Sequence, residues 1–181
     1  VTIERTDFIS NVATQYEAGG AYIRPAAYNG QLTMDRVRFI GNQAGDIGKA
    51  LWLNSTTSGT DVDMRLTNLV LAHNANPAGT AAAEDDAVIY VSTRFKTVNL
   101  SLAHVTAADN PLANFLYVRA DNDAGEQTLV EVANTVVGGV DYAFAPYGKL
   151  GLRVVGVDPG FNPDNVLTAQ LSLPNSRYGE D

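Results

Sequence analysis

Apolar and polar residues alternate in short runs along this chain, and the runs recur. In Leu32-Thr33-Met34-Asp35 every second side chain is apolar, the period of a strand with one buried face. Phe39-Ile40-Gly41-Asn42 follows, then a small-residue turn, then an apolar stretch from Ala50 to Leu53. Val1 to Ile23 repeats the same order, with Phe8 and Phe39, and Asn11 and Asn42, each 31 residues apart. Strand starts fall near Val1, Leu32, Met64, Val98 and Val130, at intervals of 31, 32, 34 and 32 residues. Periods in the range of about 20 to 50 residues mark solenoids and arrays. A second inward column is expected at Phe8, Phe39, Leu71, Val105 and Val136.

A third strand per period reads as Ala21-Tyr22-Ile23, Leu51-Trp52-Leu53, Ile89-Tyr90-Val91 and Leu116-Tyr117-Val118, with Tyr142-Ala143-Phe144-Ala145 a blurred fifth. Gly, Asn, Asp, Pro and Ser clusters separate the strands, and no stretch carries a helical period. The pattern predicts an all-β fold, a right-handed parallel β-helix of about five coils of 31 to 34 residues. The coils span residues 1–151, and 152–181 is read as a capping segment of the same domain, since an open end would expose strand edges. At the other end the first coil begins mid-pattern, as a processed or excised segment would. Its edge is expected to meet upstream coils or another chain, which makes self-association a third functional reading. A β-sandwich also has many short strands, but it does not ask for the same residue class at each coil position.

Composition narrows the partners. With 12 Lys and Arg against 20 Asp and Glu, the formal net charge is −8, so phosphate binding and nucleic acid are not expected. The chain has no cysteine, which excludes disulfides and thiol catalysis. No apolar run approaches the roughly 18 residues of a membrane helix, so this segment is not expected to insert in a membrane.

FISN (Phe8 to Asn11), FIGN (Phe39 to Asn42) and GGAY (Gly19 to Tyr22) resemble the FxxN and GGA[ILV] repeats of polymorphic outer-membrane proteins. They are also similar to repeats of other bacterial β-helix surface proteins. The third coil has Leu71-Ala72-His73-Asn74 instead, and coils four and five lose the Asn. The resemblance implies an extracellular or surface-displayed protein, often adhesive, without assigning a ligand. In physical terms Phe fills the interior, and Asn at a bend bonds backbone and stacks on the next Asn. Gly-Gly is expected to take a positive-φ turn.

Candidate chemistry is sparse. The motifs of β-helix lyases and hydrolases are missing, and glycosidases need two facing carboxylates. Glu4 and Asp35 occupy equivalent positions on adjacent coils, but a solvated face with Arg5 and Arg36 is the plainer reading. His73 and His104, with Ser101 and Asp109, lack the setting of a catalytic triad. Asp121 to Glu126 has the oxygen density of a calcium loop without its spacing. No catalytic residue, metal or cofactor is assigned. The suggestive feature is a row. Tyr22, Trp52, Tyr90 and Tyr117 would point outward at one position on four successive coils, an aromatic strip suited to glycan or a cell-surface protein. The expected role is a non-enzymatic adhesion or structural scaffold. The alternative is a fragment of a carbohydrate-active β-helix enzyme, a polysaccharide lyase or glycoside hydrolase.

Overall fold

A computed structural model of the chain describes residues 1–14, 17–25, 30–55, 61–78, 80, 86–94, 97–111, 114–121, 128–137, 152–156 and 177–178. The chain is a parallel β-helix. Coil one carries β1 (Thr2–Glu4), β2 (Asp7–Ile9), β3 (Val12–Ala13) and β4 (Ala21–Ile23). Coil two carries β5 (Gln31–Asp35), β6 (Arg38–Ile40), β7 (Gln43–Ala44) and β8 (Leu51–Ser55). Coil three has β9 (Val62–Thr67), β10 (Val70–Ala72) and β11 (Ala87–Arg94), and coil four β12 (Val98–Ala103), β13 (Thr106–Ala108) and β14 (Asn114–Asp121). Coil five has β15 (Thr128–Ala133), β16 (Val136–Val137) and β17 (Leu152–Gly156), and β18 (Arg177–Tyr178) follows.

These strands stack into three long parallel sheets and a two-stranded one, β3-β7. The first is β1-β5-β9-β12-β15, the second β2-β6-β10-β13-β16-β18, and the third β4-β8-β11-β14-β17. Alternation explains the stacking: in β5 the pattern is exposed Gln31, buried Leu32, exposed Thr33, buried Met34. Each buried position lies over its equivalent on the next coil, so one core runs through the molecule. Phe8 and Phe39 show it most directly. They are partners in register, their rings stack with centroids 4.8 Å apart and planes 5° from parallel, and Leu71 continues the column.

The structure corrects the register of coil four. Met64 pairs with Leu100, not Val98, and Val98 pairs with Val62. Along Thr2, Thr33, Arg65, Ser101 and Glu131 the intervals are 31, 32, 36 and 30 residues. The second column accordingly ends in Ala107 and Val137. Val105 is buried but stacks beside Leu69 and Val37, while Val136 faces outward at 45% exposure. The longer step falls between Ala72 and Ile89, 17 positions against 11 from Ile40 to Leu51, and the ladders on either side keep their register.

The corners have their own regularity. Residues two past the inward Ile3, Met34, Leu66, Leu102 and Val132 are Arg5, Arg36, Asn68, His104 and Asn134, all with φ between 48° and 55°. Residues two past Phe8, Phe39, Leu71 and Ala107 are Ser10, Gly41, His73 and Asp109, with φ between 52° and 66°. One left-handed residue thus turns the chain at each end of every described second-sheet strand from coil one to coil four. Both histidines are bend residues in different corners.

Behind the second bend stands a ladder of asparagines. Asn42 Oδ1 accepts the N–H (3.1 Å) and Nδ2 (2.8 Å) of Asn11, and Asn74 Oδ1 does the same for Asn42. Asn110 Oδ1 does it for Asn74, at 2.9 and 3.0 Å. Coil four therefore keeps its Asn: the spacing Ala107 to Asn110 equals that of Phe8 to Asn11, and Ala in the filler position hides it. Gly19 and Gly20 are also corrected. Neither has positive φ; that belongs to Ala18 at 63°. Glycine is needed there because the next coil approaches so closely that an added Cβ would lie 2.4 Å from the Lys49 carbonyl oxygen or 2.3 Å from that of Ala50.

The expected rung at Tyr142 to Ala145 lies outside the described residues. The fifth rung of the third sheet is Leu152–Gly156, in register with Leu116 to Ala120. Of the cap expected over 152–181, only this strand and Arg177–Tyr178 are described, and the latter pairs with Val136 and Val137.

Candidate binding face

Tyr22, Trp52, Tyr90 and Tyr117 are partners in register on the third sheet, and Arg153 follows. Their neighbours Ile23, Leu53, Val91 and Val118 belong to the core, so alternation turns the four rings to the outer side. The row is not one exposed strip. Tyr22 is 45% exposed and Trp52 half-buried, whereas Tyr90 and Tyr117 are only 3% and 7% exposed. The expectation of four exposed rings is corrected to an open end at coils one and two. Tyr90 and Tyr117 form a second apolar cluster with Ala87, against which Ile47 and Trp52 pack. Of these, Ile47 comes from the corner before β8, outside the sheets, and packs against this part of the row.

Ring geometry changes along the row as well. Tyr22 and Trp52 lie with centroids 4.4 Å apart and planes tilted by 40°. Trp52 meets Tyr90 edge-on at 6.5 Å and 86°, and Tyr90 stacks on Tyr117 at 5.0 Å and 15°. Hydrogen bonds fix the open pair: Asn54 Nδ2 donates to Tyr22 Oη at 3.0 Å, and Trp52 Nε1 donates to Ser92 Oγ at 3.1 Å. Two aromatic rings are held in place with one of them reaching solvent.

The first sheet presents a different outer face, polar and shallowly grooved. Asp63, Asn99 and Leu129 form one row and Arg65, Ser101 and Glu131 the next, and both rows line the groove. Asn99 Nδ2 donates to Asp63 Oδ1 at 2.8 Å. No motif in the sequence marks this groove. Only the register, once known, assembles it.

Glu4 and Asp35 are partners in register on that sheet, as the repeat requires. Asp35 is already engaged. Its Oδ1 accepts from Asn68 Nδ2 (2.7 Å) and Thr67 Oγ1 (3.1 Å), and its Oδ2 from Arg36 Nε (2.7 Å). The Asn68 hydrogen bond, foremost among these, holds the carboxyl below its ordinary 3.8. A general acid needs the opposite shift, so Asp35 does not fit that role. On the second sheet Arg38 binds Asp7 through both nitrogens, Nε to Oδ1 at 2.7 Å and Nη2 to Oδ2. Those bonds lower the Asp7 carboxyl and raise the Arg38 guanidinium.

Among the described residues no three His, Asp or Glu side chains gather to hold a metal ion. Of the oxygen-rich stretch Asp121 to Glu126, all but the Asp121 backbone lies outside the described residues. No described helix is long and apolar enough to cross a membrane. A buried ion pair, Lys49 with Asp86, joins two connections that no sequence pattern singles out.

The sheets and their register define the class: a parallel β-helix. No family model, no curated protein and no solved structure matches the chain.

Proposed function

We propose that the protein is a non-enzymatic β-helix scaffold, secreted or displayed at a bacterial surface, that binds glycan at the open end of its aromatic row. The observation behind this reading is the Tyr22–Trp52 pair. Its two rings are oriented by hydrogen bonds to Asn54 and Ser92, and Tyr22 is 45% exposed. A sugar ring offers a flat apolar face to such a platform, and little side-chain entropy is lost on binding because the rings are already held. The FISN and FIGN resemblance supports surface display, and a cell-surface protein partner would use the same rings. The engagement of Asp35 weighs against the rival reading of a carbohydrate-active enzyme.

A glycan array and cell-binding assay test this. Tyr22→Ala and Trp52→Ala should each weaken wild-type binding tenfold or more, a loss of about 1.4 kcal/mol, while Val136→Ser on the second sheet should not. Equal binding by all four proteins, or turnover of a polysaccharide by the wild type, sinks the proposal.

Self-association is a second reading, and a specific observation favours it. Val1, Ile9, Val12 and Tyr22, four of the large apolar side chains that are exposed, all lie on coil one. The Phe8 and Ile3 side chains there are only partly covered. A second copy would bury this edge by strand addition. Sedimentation that shows a monomer at every concentration rules it out.

A further inference from the structure

The connections that flank the third sheet bring three chemically complementary side chains together, two of them buried and Asn76 partly so. Lys49 is fully buried and Asp86 is 4% exposed, with Lys49 Nζ 2.6 Å from Asp86 Oδ1. The other carboxylate oxygen, Oδ2, accepts from Asn76 Nδ2 at 2.7 Å. Nζ also donates to the Asp46 carbonyl, and the Asp86 carbonyl accepts the N–H and Nδ2 of Asn114 at 3.0 and 3.1 Å. An amine and a carboxamide therefore sit on the two oxygens of one carboxyl group. Two buried charges are costly to keep, and passing one proton from Nζ to Asp86 removes both. What results is a neutral amine beside an acid that also touches the amide.

We propose that Lys49 and Asn76 form an intramolecular isopeptide bond, with Asp86 carrying the proton. Lys49 Nζ, having given a proton to Asp86, attacks Asn76 Cγ, and the Cγ–Nζ bond forms. The Cγ–Nδ2 bond then breaks as Nδ2 takes up one proton from Nζ and one from Asp86. Ammonium leaves, Asp86 returns to carboxylate, and the product is a neutral secondary amide. Atoms and charge balance without oxidant, metal or cofactor. The residue after Asn76 supports the assignment. Pro77 has no backbone N–H, so the usual attack of the following nitrogen on an Asn amide is closed and the amide is kept for Lys49. The bond would tie coil two to the coil-three connection, 27 positions along the chain, in a protein with no cysteine to make a disulfide.

Intact-mass and tandem mass spectrometry of the purified full chain test this without reference to any ligand. The expected result is a mass short of the sequence by one ammonia, and a branched peptide joining Lys49 to Asn76 that trypsin does not cut after Lys49. Asp86→Asn should restore the full mass of its own sequence. Should that variant fail to fold, Asn76→Ala, at a partly exposed position, must also lack the deficit. The full sequence mass in the folded wild type overturns the proposal. So does a deficit of one water linking Lys49 to Asp86, or ammonia loss that maps elsewhere or persists in Asn76→Ala.

Discussion

Asn42 and Asn74 are joined by two hydrogen bonds to a single atom: the N–H and Nδ2 of Asn42 both donate to Asn74 Oδ1, at 3.1 and 3.0 Å. Asn74 Nδ2 meanwhile reaches back to the Phe39 carbonyl at 3.0 Å. One amide thereby satisfies a backbone donor, a side-chain donor and a backbone acceptor, all on the preceding coil.

Asn74→Ala should consequently be among the most damaging single changes in the chain. It strands two donors of Asn42 in a buried corner, at about 1–3 kcal/mol for each unpaired group. A total near 4 kcal/mol is expected, read as a lower thermal midpoint. Asn11→Ala, exposed at the end of the ladder, should cost about 1 kcal/mol. Equal midpoints for the two variants would mean that the ladder does not bear on stability.

Gly20→Ala and Gly41→Ala separate two reasons for glycine. A Cβ at Gly20 would press within 2.3 Å of the Ala50 carbonyl oxygen and 2.7 Å of the Phe39 ring. Overpacking of that kind costs about 1–3 kcal/mol or more. At Gly41 the nearest atom is Ser10 Oγ at 3.4 Å, and only the φ of 66° resists. Its equivalents Ser10, His73 and Asp109 show that the site accepts side chains, so the expected cost is about 1 kcal/mol. The reverse change, His73→Gly, should stabilise by a similar amount. Denaturant titration reads all three.

Acid should loosen the outer faces before the core. Asp35 and Asp7 are both held below the ordinary value, by Asn68 and by Arg38 respectively. A carboxyl lowered on folding contributes stability that is fully present above the unfolded value of 3.8 and is lost as pH falls through the lower, folded one. Carboxyl-carbon NMR should follow Asp35 titrating below that value, and Asn68→Ala should move it upward. An unmoved Asp35 would mean that Asn68 is not the cause.

The two ends of the aromatic row should differ in cost. Tyr117→Ala empties a buried cluster and should cost about 3–5 kcal/mol, as large aromatic truncations do. Tyr22→Ala should cost about 1 kcal/mol or less, since its ring is 45% exposed. Chemical nitration of the folded protein should modify Tyr22 ahead of Tyr90 and Tyr117.

Much of this architecture was legible because inward residues are large where a coil can be recognised. Phe8, Phe39 and Leu71 announce their column, and the Leu-Trp-Leu type triplets announce the third sheet. Ala107 is what hides the register of coil four: a small filler gives no signal, so Val105 is the better match in the sequence and Asn110 falls outside the pattern. Burial of Tyr90 and Tyr117 was illegible for another reason. Alternation tells which side of a strand a ring leaves from, not what the neighbouring connection lays over it. Lys49, Asp86 and Asn76 lie in connections without period, where only the folded chain brings partners together.

From the first sheet to the second, the step between equivalent inward residues is five positions in every coil: Ile3 to Phe8, Met34 to Phe39, Leu66 to Leu71, Leu102 to Ala107, Val132 to Val137. From the second to the third it is free to vary, 12 positions from Ile9 to Ala21 and 17 from Ala72 to Ile89. The molecule therefore separates a hinge-free spine from an interchangeable margin. Foreign peptides grafted into the margin would be carried as cargo, each at a height set by the coil that bears it.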